Sequence, residues 1–117
     1  HKDIAHAIEA HSFSANIKAE TLAARIVQDA DRLDGLGAIG IARCFATAGI
    51  MKRAFYSDED PFCKIRKADD GQYTVDHFFA KLFKVAGSLN TRAAREEGER
   101  RVQTMREFLA RLNEEIS

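Results

Sequence analysis

The feature that most constrains the fold lies at the end of the chain. Ala94, Gly98, Val102, Met105, Leu109, Leu112 and Ile116 recur at spacings of four and three, a pattern that only a helix gathers into one apolar stripe. Glu96/Arg100, Glu97/Arg101 and Glu107/Arg111 stand four apart, the spacing of ion pairs on a solvated helix face. A spacing averaging about 3.5 residues suits either the closing helix of a bundle or a coiled-coil seam between two copies. One such helix among several closes its own bundle, so packing within the chain is the expected role and a homodimer seam the alternative. The arginines of this face read as pairing and solubility residues.

The remaining segments are helical as well. A single proline in 117 residues, with few alternating apolar and polar runs, argues against a sheet. A first helix is expected from about Asp3 to His11, ending in the polar Ser12-Phe13-Ser14-Ala15-Asn16. A second starts behind Thr21, an N-cap, and reaches Asp34, where Gly35 and Gly37 bend or end it. The third, Ala38 to Ala48, is apolar nearly all round, which implies burial on most sides, and Gly49 is its stop. Residues 57–71 read as a loop from the turn signals Ser57-Asp58-Glu59-Asp60-Pro61 and Ala68-Asp69-Asp70-Gly71. Thr74 caps a fourth helix with Phe78, Leu82, Val85 and Leu89 on one face, and Thr91 caps the last.

Composition excludes several classes. A chain of this length suits one domain that buries roughly 65% of its unfolded surface. Its 18 Lys and Arg are balanced by 18 Asp and Glu, so no excess charge recommends a nucleic-acid polymer as partner. Cys44 and Cys63 stand in no CxxC arrangement and read as reduced packing residues. No apolar run approaches the ~18 residues of a membrane span, and a cytoplasmic location is expected. The chain starts at His1 without Met, in a helical pattern already under way, as expected for the later part of a longer protein.

Against that background the run Ile26-Val27-Gln28-Asp29-Ala30-Asp31-Arg32-Leu33-Asp34 stands out, because carboxylates inside an apolar helical pattern are costly unless paired, hydrogen-bonded or bound to metal. At about 100° per residue, Leu22, Leu33, Ile26, Ala30, Ala23 and Val27 define a core-facing arc. Asp34 projects inside that arc and Asp31 lies on its border, one turn away. Asp29 falls beyond the opposite border, where Arg25 can pair with it at the surface. The plain reading of the pair is that Asp34 ends the helix facing a loop and Asp31 is solvated. On the first helix, Ile4, Ala7, Ile8 and His11 share a face. His11 is thereby directed toward the core, either as a hydrogen-bonded core residue or to converge with an aspartate, as in metal sites of helical bundles. His77 is a first-turn residue with no partner visible in sequence, and no catalytic role is assigned to it.

Ala7-Ile8-Glu9-Ala10-His11-Ser12-Phe13-Ser14, the acidic run, and Gly35-Leu36-Gly37-Ala38-Ile39-Gly40-Ile41-Ala42-Arg43 together resemble the later part of an HD-domain metal-dependent phosphohydrolase. The small single-domain bacterial hydrolases of that superfamily are the most similar. The likeness continues through Asp60-Pro61-Phe62, Asp76-His77-Phe78 and Lys81-Leu82 into the final helix, so it covers nearly the whole chain. It implies an all-α, compact helical bundle of the HD-domain type that lacks its N-terminal helices here, with residues 1–117 as the C-terminal portion of one domain.

The resemblance also implies a site. In that superfamily a His, an adjacent His-Asp pair and a later Asp hold a divalent cation, and the later Asp, which precedes Arg-Leu, matches Asp31. Such ligands suit Mg, Mn, Fe, Ni or Zn, and the ion activates a water that attacks a phosphoester or nucleotide. His11 would sit near the phosphate or a second metal, and Asp34 would orient the site or cap the turn at Gly35. Arg32 would orient Asp31 or pair at the surface. His1, His6, His11 and His77 are followed by Lys, Ala, Ser and Phe, so the His-Asp pair is expected upstream of His1 and this chain alone is expected to be inert. The expected partner is a small phosphorylated molecule. The alternative is a non-catalytic helical interaction or regulatory module derived from the same fold.

Overall fold

A computed structural model of the chain describes residues 21–117. The expected helix from Asp3 to His11, and His11 with it, lie outside the described residues. What is described is all-helical, as expected: α1 (Leu22–Leu33), α2 (Gly37–Ile50), a π-helical turn (Phe78–Leu82) that runs into α3 (Phe83–Ala86), and α4 (Arg92–Ile116). The single exception to helix or loop among these residues is an isolated parallel bridge between Ala54 and Tyr73.

Local chemistry places the ends. Thr21 and Thr91 are both extended, and their hydroxyls accept the backbone N–H of Ala24 at 2.9 Å and of Ala94 at 3.2 Å, each satisfying one donor that a helix start leaves open. Between α1 and α2 the chain bends by 63°. The bend depends on glycine at two points. Gly37 has φ of +72°, and a Cβ on Gly40 would lie 2.3 Å from the Gly35 carbonyl, so the first turn of α2 sits directly on the preceding turn.

The core follows from α4. Leu36, Val75, Phe78, Leu82, Met105 and Leu109 form its buried centre, and Phe78 stacks on Phe108 with ring centroids 6.0 Å apart. Helix α4 packs on α1, α2 and α3 and buries Ala94, Gly98, Met105 and Leu109 of the stripe, which is the packing role expected of it. Its ion pairs are partly repartnered: Glu97 takes both Arg100 and Arg101, while Glu96 pairs with Arg92 and Arg111 with Glu114. Cys44 and Cys63 are free and half-buried, consistent with packing residues.

Three expectations fail. The fourth helix does not start at Thr74, whose hydroxyl donates to the Ala54 carbonyl at 2.8 Å, and Leu89 lies beyond its end. A turn closed by the Phe83 N–H on the Phe78 carbonyl widens the helix instead, and such an inserted residue shifts every later side chain off the regular face. Helix α2 is not buried on most sides, since Ile39 is 54% and Ile50 82% exposed. The arc assigned to α1 is only partly core-facing: Leu33 packs against the core, but Leu22 and Ile26 are 67% and 53% exposed, and the face bearing Ala24, Gln28, Asp29 and Arg32 meets the rest of the chain. That face docks through hydrogen bonds, which hydrophobic periodicity cannot register.

Candidate functional site

The aspartates of the acidic run have separate tasks. Asp29 is not a surface residue paired with Arg25 but is 2% exposed. Its Oδ1 accepts the backbone N–H of Asn90 at 2.7 Å and the Asn90 amide at 3.0 Å, and its Oδ2 accepts the Thr91 N–H at 2.9 Å. Burial pushes its carboxyl upward, but these hydrogen bonds outweigh burial and hold it below the ordinary carboxylate range. A carboxylate on α1 thus caps the start of α4, where the helix dipole favours negative charge. Sequence could not reveal this pairing across 61 and 62 residues.

Two further bonds fasten the same end of α1. Arg101 Nη1 donates to the Leu33 carbonyl and Arg32 Nη1 to the Ser88 carbonyl, both at 2.6 Å. Arg32 therefore serves to anchor the helix end. Asp31 and Asp34, one turn apart, are both exposed on this fastened segment. For Asp34 that corrects the expected inward projection, and it forms the C-cap of α1, where its carbonyl receives Arg43 Nη1 at 3.4 Å.

Beside this corner lies a cavity of about 200 Å³ between the Gly35 turn, α2 and the segment from Asp70 to Leu82. Arg43, Cys44, Thr47, Arg53, Asp70 and His77 supply its polar and sulfur atoms. His77 Nδ1 and Asp70 Oδ2 are 2.9 Å apart, and the hydrogen bond from His77 holds the Asp70 carboxyl below its usual range. Burial pushes the Cys44 thiol up to about 11, so it lines the cavity uncharged, as a packing residue. Sequence reasoning does not single out Asp70, Arg43 or Arg53, and it gives His77 no role. The Ala68-Asp69-Asp70-Gly71 turn signal followed by Asp76-His77 is the available hint.

His77 is placed by its neighbour. Asp76 is fully buried and accepts Arg66 Nη2 at 2.9 Å and the Asp69 N–H at 2.7 Å. Arg66 in turn donates to the Asp60 carbonyl at 2.9 Å, while the Asp60 carboxylate accepts the N–H groups of Lys64, Ile65 and Arg66. The long loop is thereby organised around one arginine. Burial raises the Asp76 carboxyl, but its bonds from Arg66 and Asp69 lower it further, to below the ordinary carboxylate range. The unfolded chain therefore takes up protons at a higher pH than the folded one. Stability from Asp76 is complete above about pH 4 and declines as pH falls through the folded value. Urea unfolding between about pH 6 and pH 2 is expected to show that decline, and Asp76→Asn to be less stable at about pH 6 but flatter in acid; equal slopes for both proteins would contradict it.

Among the described residues, no group of three His, Cys, Asp or Glu side chains converges to hold a metal ion. A divalent cation needs more donors than Asp31 supplies, so these residues do not by themselves fit one. No helix among them is long and apolar enough to cross a membrane.

No protein-family model matches the sequence. The chain is 40% identical over 92 residues to the uncharacterized protein YpgQ of Bacillus subtilis, covering 79% of this chain and 39% of that protein. An HD-superfamily hydrolase from Bacillus thuringiensis superposes with a TM-score of 0.69 at 40% identity, over 81% of this chain and 46% of the other. The chain has the fold of the HD-superfamily hydrolases. Bacillus subtilis YpgQ in complex with ADP matches with a TM-score of 0.72 at 32% identity, over 97% of this chain and 51% of its own. The chain thus spans about half the length of these HD-superfamily relatives.

Proposed function

We propose that the whole protein is a metal-dependent phosphohydrolase acting on a nucleotide, to which this chain contributes one carboxylate ligand, Asp31. The observation that carries the reading is the division within the acidic run. Asp29 is buried at the cap of α4, and Asp31 and Asp34 are exposed on a helix end fastened by Arg32, Arg101 and Asp29 itself. A ligand must be held rigidly to keep its geometry, and this end is held from three directions. The remaining ligands come from outside the described residues, which is where His11 lies, and Asp34 orients the site from one turn away. The nucleotide is suggested by the ADP found with the Bacillus subtilis relative.

The test is metal content and turnover of nucleoside di- and triphosphates by the purified whole protein. Bound divalent metal together with phosphate or pyrophosphate release is expected. A protein that binds no divalent metal and hydrolyses none of these would be a helical interaction module instead.

A further inference from the structure

The cavity beside Asp34 holds a combination of charges that packing alone does not explain. Arg43, on α2, and Arg53, just past its end, both line it. Arg53 is half-buried and its backbone N–H donates to the Ala48 carbonyl, but its guanidinium makes no hydrogen bond or ion pair among the described residues, whereas the other half-buried arginines each have at least one side-chain partner: Arg32 and Arg101 a carbonyl, Arg66 the Asp76 carboxylate. Arg43 has only its long contact to the Asp34 carbonyl. A guanidinium drawn partly out of water without a counter-charge loses solvation that nothing returns, unless an anion arrives.

The other groups of the lining leave the field positive. Asp70, the one carboxylate there, is already engaged by His77, and the Cys44 thiol is uncharged. Arg43 and Arg53 therefore outnumber the negative charge, and the Thr47 hydroxyl adds a neutral donor.

Size and place narrow the ligand. At about 200 Å³ the cavity is smaller than the roughly 300–1,000 Å³ that enclose a whole drug-sized ligand, so it admits one end of a nucleotide. Gly35 and Gly40 form part of its wall, which puts it next to the turn that carries Asp34. We infer that the cavity walled by Gly35 and Gly40 is a subsite for a di- or triphosphate chain, with Arg53 as its principal anchor and Arg43 as a mobile second clamp. This deepens the nucleotide reading of the site and rests on it. A chain seated between the two guanidiniums would leave the nucleoside outside the cavity.

The test is calorimetric titration of the whole protein as purified, at low ionic strength, with inorganic pyrophosphate, ADP and adenosine. Pyrophosphate and ADP are expected to bind and adenosine to bind far more weakly. Arg53→Gln is expected to weaken pyrophosphate and ADP by at least about tenfold, the loss of a charged hydrogen-bonding partner, with an unchanged melting temperature because the side chain holds no other group. Arg53→Lys is expected to recover part of the affinity, since it restores charge but not the planar fork. Pyrophosphate that does not bind, pyrophosphate that binds Arg53→Gln as tightly as the unaltered protein, or adenosine that binds as tightly as ADP would each overturn the subsite. The underlying reading fails separately: it falls if Asp31→Ala retains its metal and its turnover, whatever the arginine variants do.

Discussion

Asp29→Ala is expected to destabilise the fold by about 2 kcal/mol, because it strips the acceptor from the N–H groups of the half-buried Thr91 and of Asn90 at the start of α4. Both the Asn90 and Thr91 N–H groups end on this carboxylate, and helix starts leave such donors without intrahelical partners. Each donor left unsatisfied in a buried place costs about 1–3 kcal/mol. The favourable placement of a negative charge at the start of a 25-residue helix goes with it, about 0.3–1 kcal/mol more. Against these stands the desolvation cost that Asp29 no longer bears, which keeps the net below the simple total. Asp29→Asn keeps one oxygen acceptor and should lose about half as much. Urea denaturation of the chain and both variants checks the order. An alanine variant within about 0.5 kcal/mol of the parent, the range of an ordinary surface change, would mean that Asp29 is the solvated residue its helical position suggests.

The same residue marks the limit of what periodicity tells. The stripe of α4, its Thr91 cap and the loop from Ser57 to Gly71 are legible because each depends on neighbours in sequence. Helix α1 is legible as a helix and not as an orientation. Its apolar residues Leu22 and Ile26 stand exposed, and its polar residues Gln28, Asp29 and Arg32 dock on the Ser88 to Thr91 turn. The clustering of apolar side chains on one side of a helix identifies the face that wants a partner, not whether that partner lies within the same stretch of chain. Helix α2 departs from expectation for the same reason at Ile39 and Ile50. The anion cavity is illegible because Arg43, Arg53, Asp70 and His77 lie on separate segments whose contacts, the Ala54 to Tyr73 bridge and the Arg66 and Asp76 pair among them, carry no shared pattern.

For function, the largest expected effect is at Asp31. In the whole protein, Asp31→Ala is expected to lose bound divalent metal and to lower nucleotide turnover by more than about 100-fold, since groups that merely orient a ligand already cost about 10–100-fold in metal affinity or activity. Asp34→Ala should fall inside that lower range, as befits a neighbour one turn away that orients the site. Asp31 is exposed, so with metal removed from both proteins its replacement should leave folding within about 0.5 kcal/mol, the usual reach of a surface substitution. Asp29→Ala should behave in the opposite way, with lowered stability but metal still bound by the fraction that remains folded. The three aspartates are therefore separable by two measurements, metal stoichiometry and unfolding free energy. An Asp31 variant that keeps its metal while an Asp34 variant loses it would transfer the ligand role to Asp34 and reverse the assignment within the corner.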